Sequence, residues 1–382
     1  MTVDFGIRAG AACNLGVSPD RVSAFYASHW RRPIALGLES FYLWQFRDAP
    51  AADGRDRACV AIDSDGALVG VMGLNPRPFI LDGEHLAGAE LTTWIVSPEA
   101  RGKGVGKAIM RSLQDSYEVL LGGGITNDAQ SIYLTSGFDF IRYLPRFYRI
   151  HDVDALVDVG LVECNALGRR LVEQCLGRPA VARWSVDRVG VDVLADCGTA
   201  MMQDFNLFIR DAAHLGWRYA DHPVFDYSFH HVTSPAVPGP GLGLVLRETE
   251  VAGQRVVHVV DFLGDAALLP SATAFLDEFC RSVGAMAVDV TCVSQRVRAY
   301  LRESGWFSAV DEPHLQFAHL FNPPELRTPP TTSLMMWTRS RMRALADHSR
   351  LHFAKGDLDL DRPTIDYIEH SRQIPAAGRR NA

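Results

Sequence analysis

The run 96–107, "VSPEARGKGVGK", sets Gly102, Gly104 and Gly106 at every second position among Arg101, Lys103 and Lys107. It follows a strand-like segment, "ELTTWIVS", and precedes a helix pattern over 104–118, where Val105, Ile109, Leu113 and Tyr117 share one face at helical spacing. A glycine-rich cationic loop entering a helix exposes backbone N–H groups at the positive end of the helix dipole, and glycine lets an anion approach them. The run reads as a phosphate cradle, with a plain solvated turn as the competing reading. Around it the chain must place a strand, this loop and a helix in that order.

The 382 residues, 47% of them hydrophobic, suffice for two ordinary cores. A formal charge of -7 without a long basic run gives no electrostatic footprint for nucleic acid or an anionic membrane. The seven cysteines (13, 59, 164, 175, 197, 280, 292) are widely spaced and contain no CxxC pair, so neither a disulfide framework nor a zinc site is indicated. The start, "MTVDFGIRAGAACNLG", has no apolar stretch of signal type, and no segment approaches the ~20 apolar residues of a membrane span. The expectation is a cytoplasmic protein with reduced thiols.

Self-similarity divides the chain. "WQFRDAP" at 44–50 meets "WRYADHP" at 217–223, and "YLTSGF" at 133–138 meets "LRESGW" at 301–306, at nearly equal offsets of 173 and 168. Two matches in the same order indicate a duplicated domain. The expected organisation is a first copy over 1–150, a second over 151–324 and a tail over 325–382. In the first copy, a helix is expected over about 20–47, then the strand pair "RACVAIDS" and "ALVGVMGLN", the strand before the glycine loop, the loop helix, a short strand, a helix over 128–136 and a closing strand, "FIRYLPRFYRI". Residues 153–176 read as a bridging helix, and "PPEL" with "TPPTT" as a linker.

Three phosphate patterns compete for 101–107. A Walker A loop needs four residues before Gly-Lys and then Ser or Thr; here three separate Gly102 from Gly106, and Ala108 follows Lys107. A dinucleotide fingerprint needs GxGxxG in the first βα turn, whereas this GxGxG comes after three strands. The third pattern, R-x-x-G-x-G, is present as Arg101, Gly104 and Gly106. It resembles the acyl-CoA pyrophosphate loop of the GNAT superfamily of N-acyltransferases. Ala129, Tyr133, Gly137 and Phe138 resemble that superfamily's second signature, with its customary asparagine displaced to Asn127.

The resemblance implies an α/β (α+β) fold of tandem GNAT-like domains, each a mixed, mostly antiparallel sheet flanked by helices. It implies coenzyme A, carried as acyl-CoA, as co-substrate and no metal. The CoA-binding residues implied are Ile95, Val96, Ser97, Arg101, Gly102, Lys103, Gly104, Val105, Gly106 and Lys107, with the N–H groups of Ile95 to Ser97 holding the pantetheine and the thioester. Glu90 sits where some members carry a general base, and Tyr133 where the family protonates the departing thiolate. The competing readings are a surface carboxylate for Glu90 and a core phenol for Tyr133. Period two would place Glu90, Thr92, Trp94 and Val96 on one strand face.

The second copy departs from the pattern, with "DFLGDAALLPS" where a glycine loop is expected and Leu301 where Tyr133 has its counterpart. It is therefore expected to have lost CoA binding and to shape the acceptor site. Candidate acceptor residues are Arg218, Tyr219, His222, His230, His231, Lys355 and Arg362, with cations suited to a phosphate or diphosphate. Trp217 and Trp44 read as core anchors. The tail's "KGDLDLDRP" imitates an EF-hand start, but Arg362 replaces the required glycine. Together with W-R-Y-x-x-H-P it resembles bacterial tandem-GNAT proteins of surface-polysaccharide biosynthesis. That resemblance implies a nucleotide-linked amino sugar as acceptor; an aminoglycoside or other small amine, and a non-catalytic acyl-CoA sensor, are the alternatives.

Overall fold

The computed structural model describes residues 6–176, 183–308, 310–321, 324–326, 328, 331–358 and 361–373. The first half runs β1 (Arg8–Ala11), α1 (Ala12–Leu15), α2 (Pro19–His29), α3 (Glu39–Phe46), β2 (Cys59–Ile62), β3 (Leu68–Leu81), β4 (Glu84–Val96), α4 (Val105–Ser116), β5 (Val119–Gly123), α5 (Asn127–Thr135), β6 (Asp139–Ile141) and β7 (Arg146–Ile150). The helix expected over 20–47 is two helices. Pro33 lies between them, and a proline holds its predecessor out of the α region.

β1 to β4 pair antiparallel, and β4 pairs parallel with β5 through the α4 crossover. Alternation along β2 sorts the two faces. Val60 and Ile62 meet Phe25, Tyr26, Phe41, Tyr42 and Phe46 from α2 and α3. Cys59 and Ala61 meet Val105, Ile109, Met110 and Leu113 from α4, so three of the four predicted helix-face residues enter the core.

A second sheet repeats this plan with Ser185–Arg188, Ser228–Ser234, Val237–Val251, Gln254–Gly264 and Ala285–Thr291, and Gln254–Gly264 pairs parallel with Ala285–Thr291 across the helix Leu269–Val283. The recurring Ser-Gly-aromatic marks equivalent corners. Gly137 and Gly305 both lie at φ 83 after helices that begin at Asn127 and Gln295, each capped by a hydroxyl, Thr126 and Ser294.

The two sheets exchange strands. "FIRYLPRFYRI" is not one strand: β6 stays in the first sheet, while β7 enters the second between Ala285–Thr291 and Phe307–Ser308. The corresponding gap in the first sheet, between β5 and β6, is filled by Leu334–Thr338 from the tail. The predicted bridging helix is likewise interrupted. Val153–Asp158 and Ala166–Leu176 are helical, and Gly160 at φ 71 turns the chain into the strand Val162–Cys164 between them. Of the predicted linkers, Pro324–Glu325 pairs with Leu320–Phe321, and Thr331 and Thr332 are buried, while the rest of "TPPTT" lies partly outside the described residues.

Beyond Leu334–Thr338 the tail runs between the sheets on buried ion pairs. Asp357 accepts from Arg77 Nη1 of β3 at 2.8 Å and from Arg210 Nη2 at 2.5 Å, and Arg210 Nε donates to Asp261 of the second sheet at 2.8 Å. Arg210 is wholly buried. Asp361 accepts from Arg247 and from the Tyr227 hydroxyl. Of the expected EF-hand-like carboxylates, Asp359 lies outside the described residues. Removing one partner of such a pair strands the other in a medium that solvates charge poorly. Asp357→Ala is expected to cost about 3–5 kcal/mol. In urea titration, a midpoint unchanged from wild type would show that this carboxylate does not clamp the sheets.

Candidate functional site

β4 pairs with β5 from Gly88 to Leu91 and then runs on to Val96 without it, so the two strands diverge at the glycine loop. The divergence coincides with a bulge. Between Met72↔Trp94 and Leu74↔Leu91 two residues of β4, Thr92 and Thr93, oppose Gly73 alone. A Cβ on Gly73 would meet Thr92 Oγ1 and Phe46, and Thr93 Oγ1 accepts from Arg362, so both threonines lie on the Glu90 side. Trp94 is sent to the other side, against Gly106 of α4 and edge-on to Tyr133 at 5.5 Å. The common face expected for Glu90, Thr92, Trp94 and Val96 is thereby corrected: one extra residue reverses the alternation.

The backbone donors are divided by the same geometry. Ser97 N–H donates to Val69 O at 3.0 Å. In an antiparallel ladder donors alternate in direction, so Ile95 also faces β3 while Val96 faces the diverging gap. The expectation that Ile95, Val96 and Ser97 all present N–H groups to a ligand therefore reduces to Val96. Arg101 Nε reaches the Val96 carbonyl at 3.4 Å on that side. The Trp94 indole N–H is buried there without a hydrogen-bond partner among the described residues.

The loop glycines have two distinct tasks. Gly102 and Gly104 take φ 75 and 87 with no atom within 4 Å of a would-be Cβ, so conformation alone demands glycine. At Gly106 a Cβ would press on Trp94 and Ile132 at 2.9 Å, which makes it a packing glycine. Gly104 caps α4 without a side-chain hydrogen bond, and Ala108 N–H makes the bond to the Gly104 carbonyl. The N–H groups of Val105, Gly106 and Lys107 thus head the helix toward the loop. In the second sheet Asp265 occupies the corresponding helix entry and accepts from Ala267 N–H at 2.9 Å. A carboxylate there already supplies the negative charge.

Glu90 is buried, and Asn75 opposite it on β3 donates to its Oε2 at 3.2 Å. Both line a narrow cavity with Trp44, Trp217, Arg218, His222, Asp361 and Arg362. His222 Nδ1 accepts the N–H groups of Val224 and Phe225, and its Nε2 is buried without a hydrogen-bond partner among the described residues. Burial, reinforced by Arg218, holds its pKa down to about 2. The imidazole is therefore a neutral Nε2–H donor. Burial works against the Arg218 charge, but Tyr227, Tyr219, Asp361 and Glu90 outweigh it and keep the guanidinium protonated. Trp44 and Trp217 stack at 5.3 Å, and Trp217 Nε1 donates to Trp44 O, so the repeated motifs pack on each other to form one wall.

Other expected acceptor residues lie elsewhere. Tyr219 is in the second core, its hydroxyl donating to Asp261 at 3.1 Å. His230 packs on Phe275 and Phe279 and pairs with Ser228, while His231 is held by the Pro240 carbonyl. Lys355 is placed by its charge neighbours, Asp289, Asp361, Arg247 and Arg146, on the second-sheet side, with burial lowering its pKa to about 8. None of these four is among the residues that line the Glu90 cavity. Tyr133 lies on the opposite side of β4 from Glu90, between Trp94 and Phe138, and burial raises its pKa, keeping the phenol protonated. Asn75, Trp44 and Asp361 escaped sequence reasoning. Asn75 and Arg77 alternating with prolines in "LNPRPF" were the available signal, since polar residues two apart in an apolar strand mark one face.

Residues 23–124 match the Acetyltransferase (GNAT) family. A GCN5-related N-acetyltransferase from Anabaena variabilis superposes with TM-score 0.55 at 11% identity, covering 86% of this chain and 72% of that one. A probable N-acyltransferase of unknown function from Enterococcus faecalis superposes with TM-score 0.54 at 10% identity, covering 87% and 71%. No curated protein sequence matches the chain. The fold is GNAT-like, and the family match is confined to the first half, where it takes in the strand Glu84–Val96, the glycine loop and α4. Among the described residues no group could hold a metal ion and no helix is long and apolar enough to cross a membrane.

Two outcomes test this geometry. Gly104→Val forces a β-branched residue into φ 87, at about 1–2 kcal/mol of strain, and is expected to weaken CoA binding about tenfold or more by calorimetry. Unchanged affinity would reject the loop as the pyrophosphate site. Burial depresses His222, His230 and His258 below the ordinary imidazole value, to about 2, 4 and 4. Below pH ~6.5 the unfolded chain then binds protons that the folded one refuses, so stability falls as pH drops. Equal urea midpoints at pH 7.5 and 5 would contradict that burial.

Proposed function

We propose that this protein transfers an acyl group from acyl-CoA to the amine of a small acceptor held in the Glu90 cavity. One observation carries the reading: a buried carboxylate, oriented by Asn75, stands where β4 diverges from β5 and is enclosed by Arg218 and His222 of the second half. Acyl-CoA supplies an activated carbonyl. The acceptor amine attacks it, and Glu90 takes the amine proton directly or through water. Tyr133, on the other side of β4, donates its proton to the sulfur that leaves. Val96 N–H and the α4 entrance position the donor.

For the acceptor we propose an amino sugar, nucleotide-linked in its full form. Arg218 and Arg362 supply fork-shaped donors for phosphate, and Trp44 and Trp217 offer aromatic walls to a sugar face. A polycationic aminoglycoside suits the cavity less well, because Asp361 is already matched by Arg247.

Release of CoA thiol from acetyl-CoA and longer acyl-CoAs, measured against nucleotide-linked amino sugars and aminoglycosides, tests both parts. Release with nucleotide sugars alone is expected; release with aminoglycosides alone would replace the acceptor, and tight CoA binding without turnover on any amine would favour a sensor. Glu90→Gln is expected to lower kcat about 10²–10⁴-fold with CoA affinity intact. Tyr133→Phe should lower kcat with the same CoA affinity, and an undiminished rate would remove the phenol as the acid.

A further inference from the structure

Arg77, two residues beyond Asn75 on the same face of β3, is buried, with its guanidinium 4.7 Å from the Phe208 ring. Its Nη1 is bonded to Asp357, but Nε and Nη2 are buried without hydrogen-bond partners among the described residues. Buried donors are nearly always satisfied in folded proteins, and those of a cation most of all. Arg77 lines a cavity of about 190 Å³ with His214, Asp211, Ile209 and Trp217. Among the described residues His214 Nε2 is also buried without a partner. Burial, with Arg77, Arg210 and Arg218 nearby, keeps this imidazole neutral and able to donate. Asp211 is exposed at the rim and engaged in capping His214 N–H.

The cavity neighbours the one around Glu90, and Asn75 and Trp217 line both. It exists because the sheet edge is open at this point: β2 pairs with β3 only up to Met72, and Leu207–Phe208 pairs only with Phe79 and Ile80. Pro76 and Pro78 remove backbone donors from that edge and so permit the opening.

We propose that this cavity is an oxyanion subsite in which Arg77 Nε and Nη2 and His214 Nε2 bind a carboxylate or phosphate group of the acceptor itself. The inference rests on the reading of Glu90 as the acylation centre. Residues two apart on a strand lie about 6.7 Å apart, so the acceptor carries its amine and its oxyanion several bonds from each other. Planar two-point recognition by Nε and Nη2 selects an oxyanion over a neutral hydroxyl.

The test uses the full chain and a matched pair of amines, an amino sugar and its phosphate ester, with inorganic phosphate as inhibitor. Wild type is expected to prefer the phosphorylated amine, and phosphate to compete with it. In Arg77→Lys, which retains the charge near Asp357 but loses the fork, the kcat/KM preference should fall about 30-fold or more, as when one partner of a buried charged hydrogen bond is truncated. Ile209→Phe fills the cavity without altering Arg77 and should lower the same preference, which keeps the test valid if the lysine variant fails to fold. Acylation of both amines with equal kcat/KM in wild type would overturn the subsite and leave the acyltransferase reading standing. Arg77-dependent phosphate binding by calorimetry, with no amine acylated, would support the subsite and overturn the Glu90 reading instead.

Discussion

The ion-pair chain Arg77–Asp357–Arg210–Asp261 joins three parts of the polypeptide that are far apart in sequence: β3, the tail, and the second sheet. None of its charges reaches bulk water, so each depends on the others for solvation. Hydrophobic burial holds each sheet to its own helices, but it is indifferent to their relative register. Directed pairs between buried guanidiniums and carboxylates are not, and they define where the tail passes and how Arg218 and His222 stand over Glu90. Among the described residues the same chain leaves one half of Arg77 unmatched beside a cavity, where the oxyanion subsite is proposed.

Strand exchange reinforces this coupling. β7 completes the second sheet and Leu334–Thr338 completes the first, so neither sheet closes with only its own copy of the repeat. Within this frame the copies diverge at one point of chemistry. The first presents an uncapped helix entry behind left-handed glycines, and the second covers its entry with Asp265. The helix dipole attracts an anion to the first entry, while the Asp265 carboxylate already occupies the second and repels another anion.

The bulge at Thr92 and Thr93 divides the labour of β4. Before it, Glu90 faces the cavity lined by Arg218 and His222; after it, Trp94 faces α4 and Tyr133. A single inserted residue thus places Glu90 and Tyr133, the proposed base and acid, on opposite sides of the strand.

Local chemistry made a large part of this legible. Glycines in "GKGVG" between a strand and an amphipathic helix, and a Ser-Gly-aromatic corner repeated after 168 residues, depend on backbone propensities within a few positions, and both appear as read. Glu90, Arg218, His222 and Arg362 do converge on one cavity. The bulge was not legible, since period two carries no mark of where it slips. Nor was the exchange of β7 for Leu334–Thr338, because strands of like composition can complete either sheet. His230, His231, Tyr219 and Lys355 share the composition of binding residues, yet their partners are Ser228, Pro240, Asp261 and the charges of the second sheet. The strand, glycine loop and helix of the first half could be read from the chain alone, because their conformations depend on close neighbours, whereas the breaks at Pro33 and Gly160 and within "FIRYLPRFYRI" could not. Tertiary structure decided which polar side chains face a cavity and which face one another, because burial and pairing depend on residues hundreds of positions away.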